Sequence, residues 1–364
     1  MRPRLTVAVA AFVLLTGGGA LAVASAAQQS AGRIDGAAVA SVRAVRLQPA
    51  AGAPPETQPV DTSRPDHVVG NGTAASCTSQ AVVDAVAAGG VITFACGPDP
   101  VTIAMEATAK VVNTSPIVVL DGGGKVTLNG QGQRRILYMN TCDQAQIWTT
   151  SHCQNQEQPE LFIQGMTFTQ GDSTGDTTEG GGGGAVFVRG GQLTVLDSAF
   201  VGNRCDPTGP DLGGAGLRVL SQYEGRPVVV ARTRFEGNAC SNGAGISSIG
   251  VSWRIFDSTF THNDAIGNGA NPSRPGTPGG GSGGAIYLDG NRFTLELFGT
   301  TITDNTANEG GGAIFFVSND RSGQLHITGS TLQRNLSRGF QTAGYPGIFY
   351  LGSGPPIVTG SVIE

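Results

Sequence analysis

One arrangement of apolar and polar positions recurs five times between residues 193 and 335. Its fixed point is an asparagine: Asn203, Asn238, Asn263, Asn305 and Asn335, spaced by 35, 25, 42 and 30 residues. Three residues before each stands a large apolar side chain, Phe200, Phe235, Phe260, Ile302 or Leu332. Eight before stands Val195, Val230, Ile255, Leu297 or Ile327, and ten before stands Leu193, Val228, Trp253, Leu295 or Leu325. A hydroxyl residue lies five before: Ser198, Thr233, Ser258, Thr300 or Ser330. An earlier copy fits Leu161, Ile163 and Phe168 with Gly171 in the asparagine place, and a later one begins at Val358. Between copies a small-small-apolar step recurs, from Gly184-Ala185-Val186 to Gly312-Ala313-Ile314.

Alternation with a period of two over short runs is the mark of strands whose faces differ. Equivalent residues that stack about 4.8 Å apart on successive coils build a long, narrow apolar core, each side chain contributing roughly 1.5–3 kcal/mol of burial. A buried asparagine at a tight turn is satisfied only by backbone groups of its own and adjacent coils, which repetition supplies. Coil lengths vary because loops lengthen while the core rung stays fixed. The pattern predicts an all-β chain folded as a right-handed parallel β-helix, a solenoid. A β-sandwich or a propeller would repeat at other lengths and lack the asparagine column.

Upstream, Thr78 or Ser79 can cap a short helix with Val82, Val83 and Val86 on one face, ended by Gly89 and Gly90. Such a helix closes the open apolar end of a solenoid, and a strand is expected from Val91 to Cys96. Residues 27–75 lack periodicity and carry Pro54, Pro55, Pro59 and Pro65, so they are expected to form a flexible linker. Residues 1–26 read as a secretory signal peptide, with Arg2 and Arg4, an apolar run from Leu5 to Leu15 and the small-residue end Ala24-Ser25-Ala26. The β-helix domain is then residues 76–364. No later stretch is long and apolar enough to span a bilayer.

The chain carries 22 basic and 27 acidic residues. Removing residues 1–26 takes away two arginines and no acid, moving the net charge from −5 to −7. This balance speaks against nucleic acid and anionic lipid as partners. Lys110 and Lys125 are the only lysines, and the Ala- and Gly-rich composition suggests a bacterial source. Glycine, 57 of 364 residues, is about twice as frequent as usual, without the period of collagen. Six cysteines in an exported chain imply three disulfides, and no C-x-x-C pair suggests zinc or redox chemistry. Cys205 and Cys240 each follow their ladder asparagine by two residues, on consecutive coils. Stacked equivalents roughly 4.8 Å apart fall in the Cα range a disulfide accepts. Cys142 and Cys153 share one loop, and Cys77 and Cys96 bracket the cap. Sequential pairing is therefore expected among the 15 possible arrangements.

The segments FVGN (Phe200–Asn203), FEGN (Phe235–Asn238) and FTHN (Phe260–Asn263), with GGAI at 283–286 and 311–314, resemble the repeats of chlamydial polymorphic outer membrane proteins. They are also similar to secreted actinobacterial β-helix proteins of the pectin-lyase-like superfamily. The resemblance spans roughly residues 77–364 and implies the fold, while leaving function open. No translocating barrel like that of the chlamydial proteins is expected, so the autotransporter role is not carried over. The polygalacturonase signatures (NTD, DD, GHG, RIK) are missing beyond Asn140-Thr141-Cys142, and no calcium-lyase pattern stands out, so no catalytic residue carries over. In pectin-lyase-like folds the outer face of the strand that precedes the hydroxyl column resembles the floor of a substrate cleft.

That outer face carries Thr194, Val229, Arg254, Glu296 and His326 in one column, and Leu196, Ala231, Phe256, Phe298 and Thr328 in the next. Arg254, Glu296 and His326 are the candidate acid–base residues, and Phe256 and Phe298 the candidate sugar-stacking rings. The bland alternative is a charge ladder beside an apolar patch covered by a loop. His262, Asp304 and Arg334 read as a solvated turn ladder, and Asp197, Arg232 and Asp257 as a structural one. Two Gly-rich insertions stand out, 171–184 and 264–283. The first holds Asp172, Asp176 and Glu179, a weak calcium candidate without EF-hand spacing. Asp121-Gly122-Gly123-Gly124-Lys125 superficially resembles a phosphate loop but lacks the following Ser/Thr and reads as a turn. The functional expectation is a secreted, extracellular or wall-associated monomer without cofactor, recognising polysaccharide or a surface protein without catalysis. The alternatives are a lyase or glycoside hydrolase acting on acidic polysaccharide, and a structural or adhesive spacer.

Overall fold

The computed structural model describes residues 54–147, 150–176 and 181–364, all within one compact unit. The expected signal peptide and the linker up to residue 53 lie outside the described residues. The chain is a parallel β-helix. Each coil lays one strand on each of three principal faces. Face I is an eight-stranded parallel sheet running from Ala109–Lys110 to Ile348–Leu351. Faces II and III belong to one 17-stranded sheet, because the long strands Ile117–Asn129 and Glu160–Thr169 pass unbroken through the corner between them. A fourth, four-stranded face starts at Ala239–Cys240.

The register matches the sequence alignment residue for residue. On face III Phe168, Phe200, Phe235, Phe260, Ile302 and Leu332 stack in one column. On face II Val195, Val230, Ile255, Leu297, Ile327 and Val358 form another. From Val195 to Ile327 the members of these columns are fully buried or nearly so. Close stacking needs small residues opposite the rings: a Cβ on Gly245 would stand 2.7 Å from Ala285 O and 3.0 Å from Phe260.

The asparagines form a continuous ladder. Asn203 donates N–H and Nδ2 to Asn238 Oδ1, both at 2.9 Å. Asn238 does the same to Asn263, Asn263 to Asn305 and Asn305 to Asn335. The lower end closes on Gly171 N–H, which donates to Asn203 Oδ1. A second ladder runs along the hydroxyl column. Met166, Ser198, Thr233, Thr300 and Ser330 each donate N–H to a side-chain oxygen one coil on. The residue before each ladder position turns the corner with a positive φ, and these turn residues pair in space. Arg232 is bidentate to Asp197, and Arg334 to Asp304.

The N-terminal end is closed as expected. A helix, α1, spans Ser79–Ala88. It is capped by Thr78 Oγ1 on Ala81 N–H and ends at Gly89, and it buries Val82, Ala85 and Val86. The three disulfides join Cys77 to Cys96, Cys142 to Cys153 and Cys205 to Cys240, the last with Cα atoms 4.8 Å apart. One boundary moves. Of the expected linker, residues 54–75 lie on the solenoid. His67–Val69 pairs with Ile92–Phe94 ahead of the cap, and residues 55–62 run as a strap over face II. Val60 exchanges two hydrogen bonds with the Gln164 side chain, and Thr62 bonds Asp121.

Candidate functional site

The columns predicted to point away from the core of face II do so. Thr194, Val229, Arg254, Glu296 and His326 are in register, as are Leu196, Ala231, Phe256, Phe298 and Thr328. Leu196, Val229, Ala231 and Phe256 nevertheless form a small apolar cluster of their own, with Phe298 packed against it. The strap covers it: Arg232 Nη2 donates to Thr57 O at 2.9 Å, and Arg254 forms ion pairs with Glu56 of the strap and with Glu296 at 2.8 Å. The Arg254 guanidinium also lies over Phe256 and Phe298, 5.2 and 5.8 Å from the ring centres. For Phe256 the expectation of an open stacking ring is thereby corrected, since it is only 5% exposed, while Phe298 stays partly exposed.

Of the acid–base column, Arg254 and Glu296 are brought together as an ion pair at 2.8 Å. His326 stands in register with Glu296 and contacts the Gln324 side chain at 3.2 Å. Arg254 is engaged in holding the strap, an arrangement the sequence could not reveal because Glu56 lies 198 residues away. Phe256→Ala is accordingly expected to lower stability by about 2–4 kcal/mol. Thermal unfolding checks this, and a loss within experimental error would return the ring to the surface.

The calcium candidates Asp172 and Asp176 are each tied to protein groups. Asp176 pairs with Arg135 at 2.9 Å, and Arg135 also donates to Gly182 O and Gly183 O, pinning the first Gly-rich insertion. Asp172 accepts from Thr174 N–H in a local turn. Glu179 lies outside the described residues. Among the described residues no three His, Cys, Asp or Glu side chains come together as a metal site. Asp121 likewise accepts from Gly123 N–H, as a turn does.

A recess lined by aromatic and acidic side chains lies on face I. Its outward column is Tyr138, Phe187, Arg218, Ser247, Tyr287, Phe315 and Phe349. The rings of Tyr287, Phe315 and Phe349 stack with centres 4.8 and 5.2 Å apart, and Phe340 meets Phe349 edge-on at 4.7 Å. Val317 and Leu351 extend this floor, and the second Gly-rich insertion forms a wall through Asn271 and Pro272. The groove holds about 530 Å³, inside the range of small-molecule sites. The wall is fixed at its base by Glu309, which accepts a bidentate pair from Arg274 at 2.6 and 2.7 Å and a bond from Gly269 N–H. Arg274 holds the Glu309 carboxyl below the usual range.

At one end of the groove Asn271 Nδ2 stands 3.0 Å from Asp211 Oδ1, 2.7 Å from Tyr287 Oη and 3.2 Å from Asp289 Oδ2. Asp289 is further held by Gly290 N–H at 2.6 Å and Asn319 Nδ2 at 3.1 Å. Burial raises the Asp289 carboxyl and pushes the Tyr287 phenol up. Arg218 is buried behind this end, donating to Asp211 O and Ser247 Oγ, and desolvation pulls it down to about 10. Sequence reasoning missed this site, although one signal was present. The residue after each small-small-apolar step is the outward one, so the Tyr287–Phe315 rungs follow from the same alignment. No family model, curated protein or solved structure matches the chain, and the groove is read from its own residues.

Proposed function

We propose that the protein is an exported, non-catalytic β-helix that binds carbohydrate in the face I groove. The observation that carries this reading is the pairing of two partly exposed rings, Phe340 and Phe349, backed by the buried Phe315 and Tyr287, with carboxylate and amide groups at one end. Apolar ring surface accepts the C–H faces of a sugar, while fixed polar groups select hydroxyl positions and orientation. Export is supported by the three disulfides, which persist in oxidising surroundings. The repeat resemblance to pectin-lyase-like and chlamydial proteins bears on architecture and adds no catalytic motif.

A glycan panel incubated with the protein tests the proposal. Binding without new reducing ends or unsaturated-uronate absorbance is expected. Phe340→Ala, at a half-exposed edge of the groove, is expected to weaken binding about tenfold, equivalent to about 1.4 kcal/mol, with little change in melting temperature. Turnover of any glycan would overturn the non-catalytic reading, and affinity unchanged by Phe340→Ala would move the site elsewhere.

A further inference from the structure

The groove's charge is one-sided. Two carboxylates, Asp211 and Asp289, stand at its end, and among the described residues that line it none carries a positive charge. Their partners are neutral: Asn271 contacts both, and Asn319, Tyr287 and the Gly290 amide hold Asp289. The nearest guanidinium, on Arg218, is buried outside the lining; it donates to Asp211 O and Ser247 Oγ and attracts the Asp211 charge, so Asp289 is the carboxylate with no cation opposite. By contrast, Asp197, Asp304 and Glu309 each face an arginine directly. A partly buried carboxylate with no cation opposite keeps a desolvation cost that a ligand's positive charge offsets. The adjoining, partly exposed rings of Phe340 and Phe349 attract a cation within about 6 Å of their centres. A uronate meets like charge at the same place.

We infer that the groove selects a glycan bearing protonated free amino groups, such as an oligomer of de-N-acetylated hexosamine, with the ammonium between Asp211 and Asp289 and the sugar body on the aromatic floor. The inference rests on the carbohydrate-binding reading and narrows it to one chemical class.

Calorimetric titration of the full chain at mildly acidic pH tests it, with three probes of matched length: glucosamine, N-acetylglucosamine and galacturonate oligomers. The glucosamine oligomer is expected to bind at least about tenfold more tightly than the acetylated one, to lose affinity as salt rises, and to leave the galacturonate oligomer unbound. Asp289→Asn is expected to bring the first affinity down to the second. Should that variant unfold, Asp211→Asn, whose side chain is exposed, carries the same expectation. Equal affinity for the amino and acetylated sugars would overturn the charge inference and leave carbohydrate binding standing. Tightest binding of galacturonate would also overturn it. Failure of all three probes, with failure of the wider panel, would remove the carbohydrate reading itself.

Discussion

Asn238→Ala is expected to lower stability by about 3–5 kcal/mol, because it breaks the ladder at its middle. The Asn238 side chain accepts Asn203 N–H and Nδ2, and donates to Phe200 O at 3.0 Å and to Asn263 Oδ1 at 2.9 Å. All of these groups are sealed from water. Truncation leaves two donors and two acceptors without this partner, and each buried polar group so orphaned costs about 1–3 kcal/mol, reduced where a neighbour relaxes. The damage should stay local, since each coil touches only its neighbours. Hydrogen exchange at the Asn203 amide should accelerate, while amides of the cap helix keep their protection. Chemical denaturation gives the total. A loss below about 1 kcal/mol would mean that water or the backbone replaces the asparagine, so that the ladder is a consequence of the fold and not one of its determinants.

The ladder was legible in the sequence because it repeats. Five asparagines with apolar partners at fixed offsets define the register, and the register places Cys205 beside Cys240 without further information. The facing of Arg254, Glu296 and His326 followed from the same alternation. What covers that face did not follow. The strap has no period, and the partners of Glu56, Thr57 and Val60 are Arg254, Arg232 and Gln164, chosen by tertiary fit. Local pattern carries no information about such a contact, so Phe256 read as a surface ring. The face I groove divides the same way. Tyr287, Phe315 and Phe349 obey the repeat, whereas Asp211 and Asn271 come from loops between coils and reach the groove through contacts 60 residues apart. Variable loops set on a regular scaffold are where recognition concentrates, and they are the part that periodicity cannot order.

Phe235→Ala is the second large effect expected, about 3–5 kcal/mol. The Phe235 ring is fully buried, with its neighbours Phe200 and Phe260 at 4.7 and 4.6 Å and planes within 5°. Truncation removes the transfer free energy of the ring, both stacking contacts, worth about 0.5–1.5 kcal/mol each, and leaves a cavity that the flanking rungs cannot close without giving up their own register. The column itself supplies the control. Ile302 and Leu332 occupy the same position two and three coils on, so Phe235→Leu should cost less than half as much. The Cys205–Cys240 bond ties the coils of Phe200 and Phe235 over a separation of 35 residues, a closure worth about 4 kcal/mol on the chain-entropy estimate. Phe235→Ala should therefore still fold when oxidised. Combined with Cys205→Ser and Cys240→Ser, it should lose the protection of both coils in hydrogen exchange. Equal stability of Phe235→Ala and Phe235→Leu would show that the column is filled by volume from neighbouring rungs and that the aromatic stack adds nothing of its own.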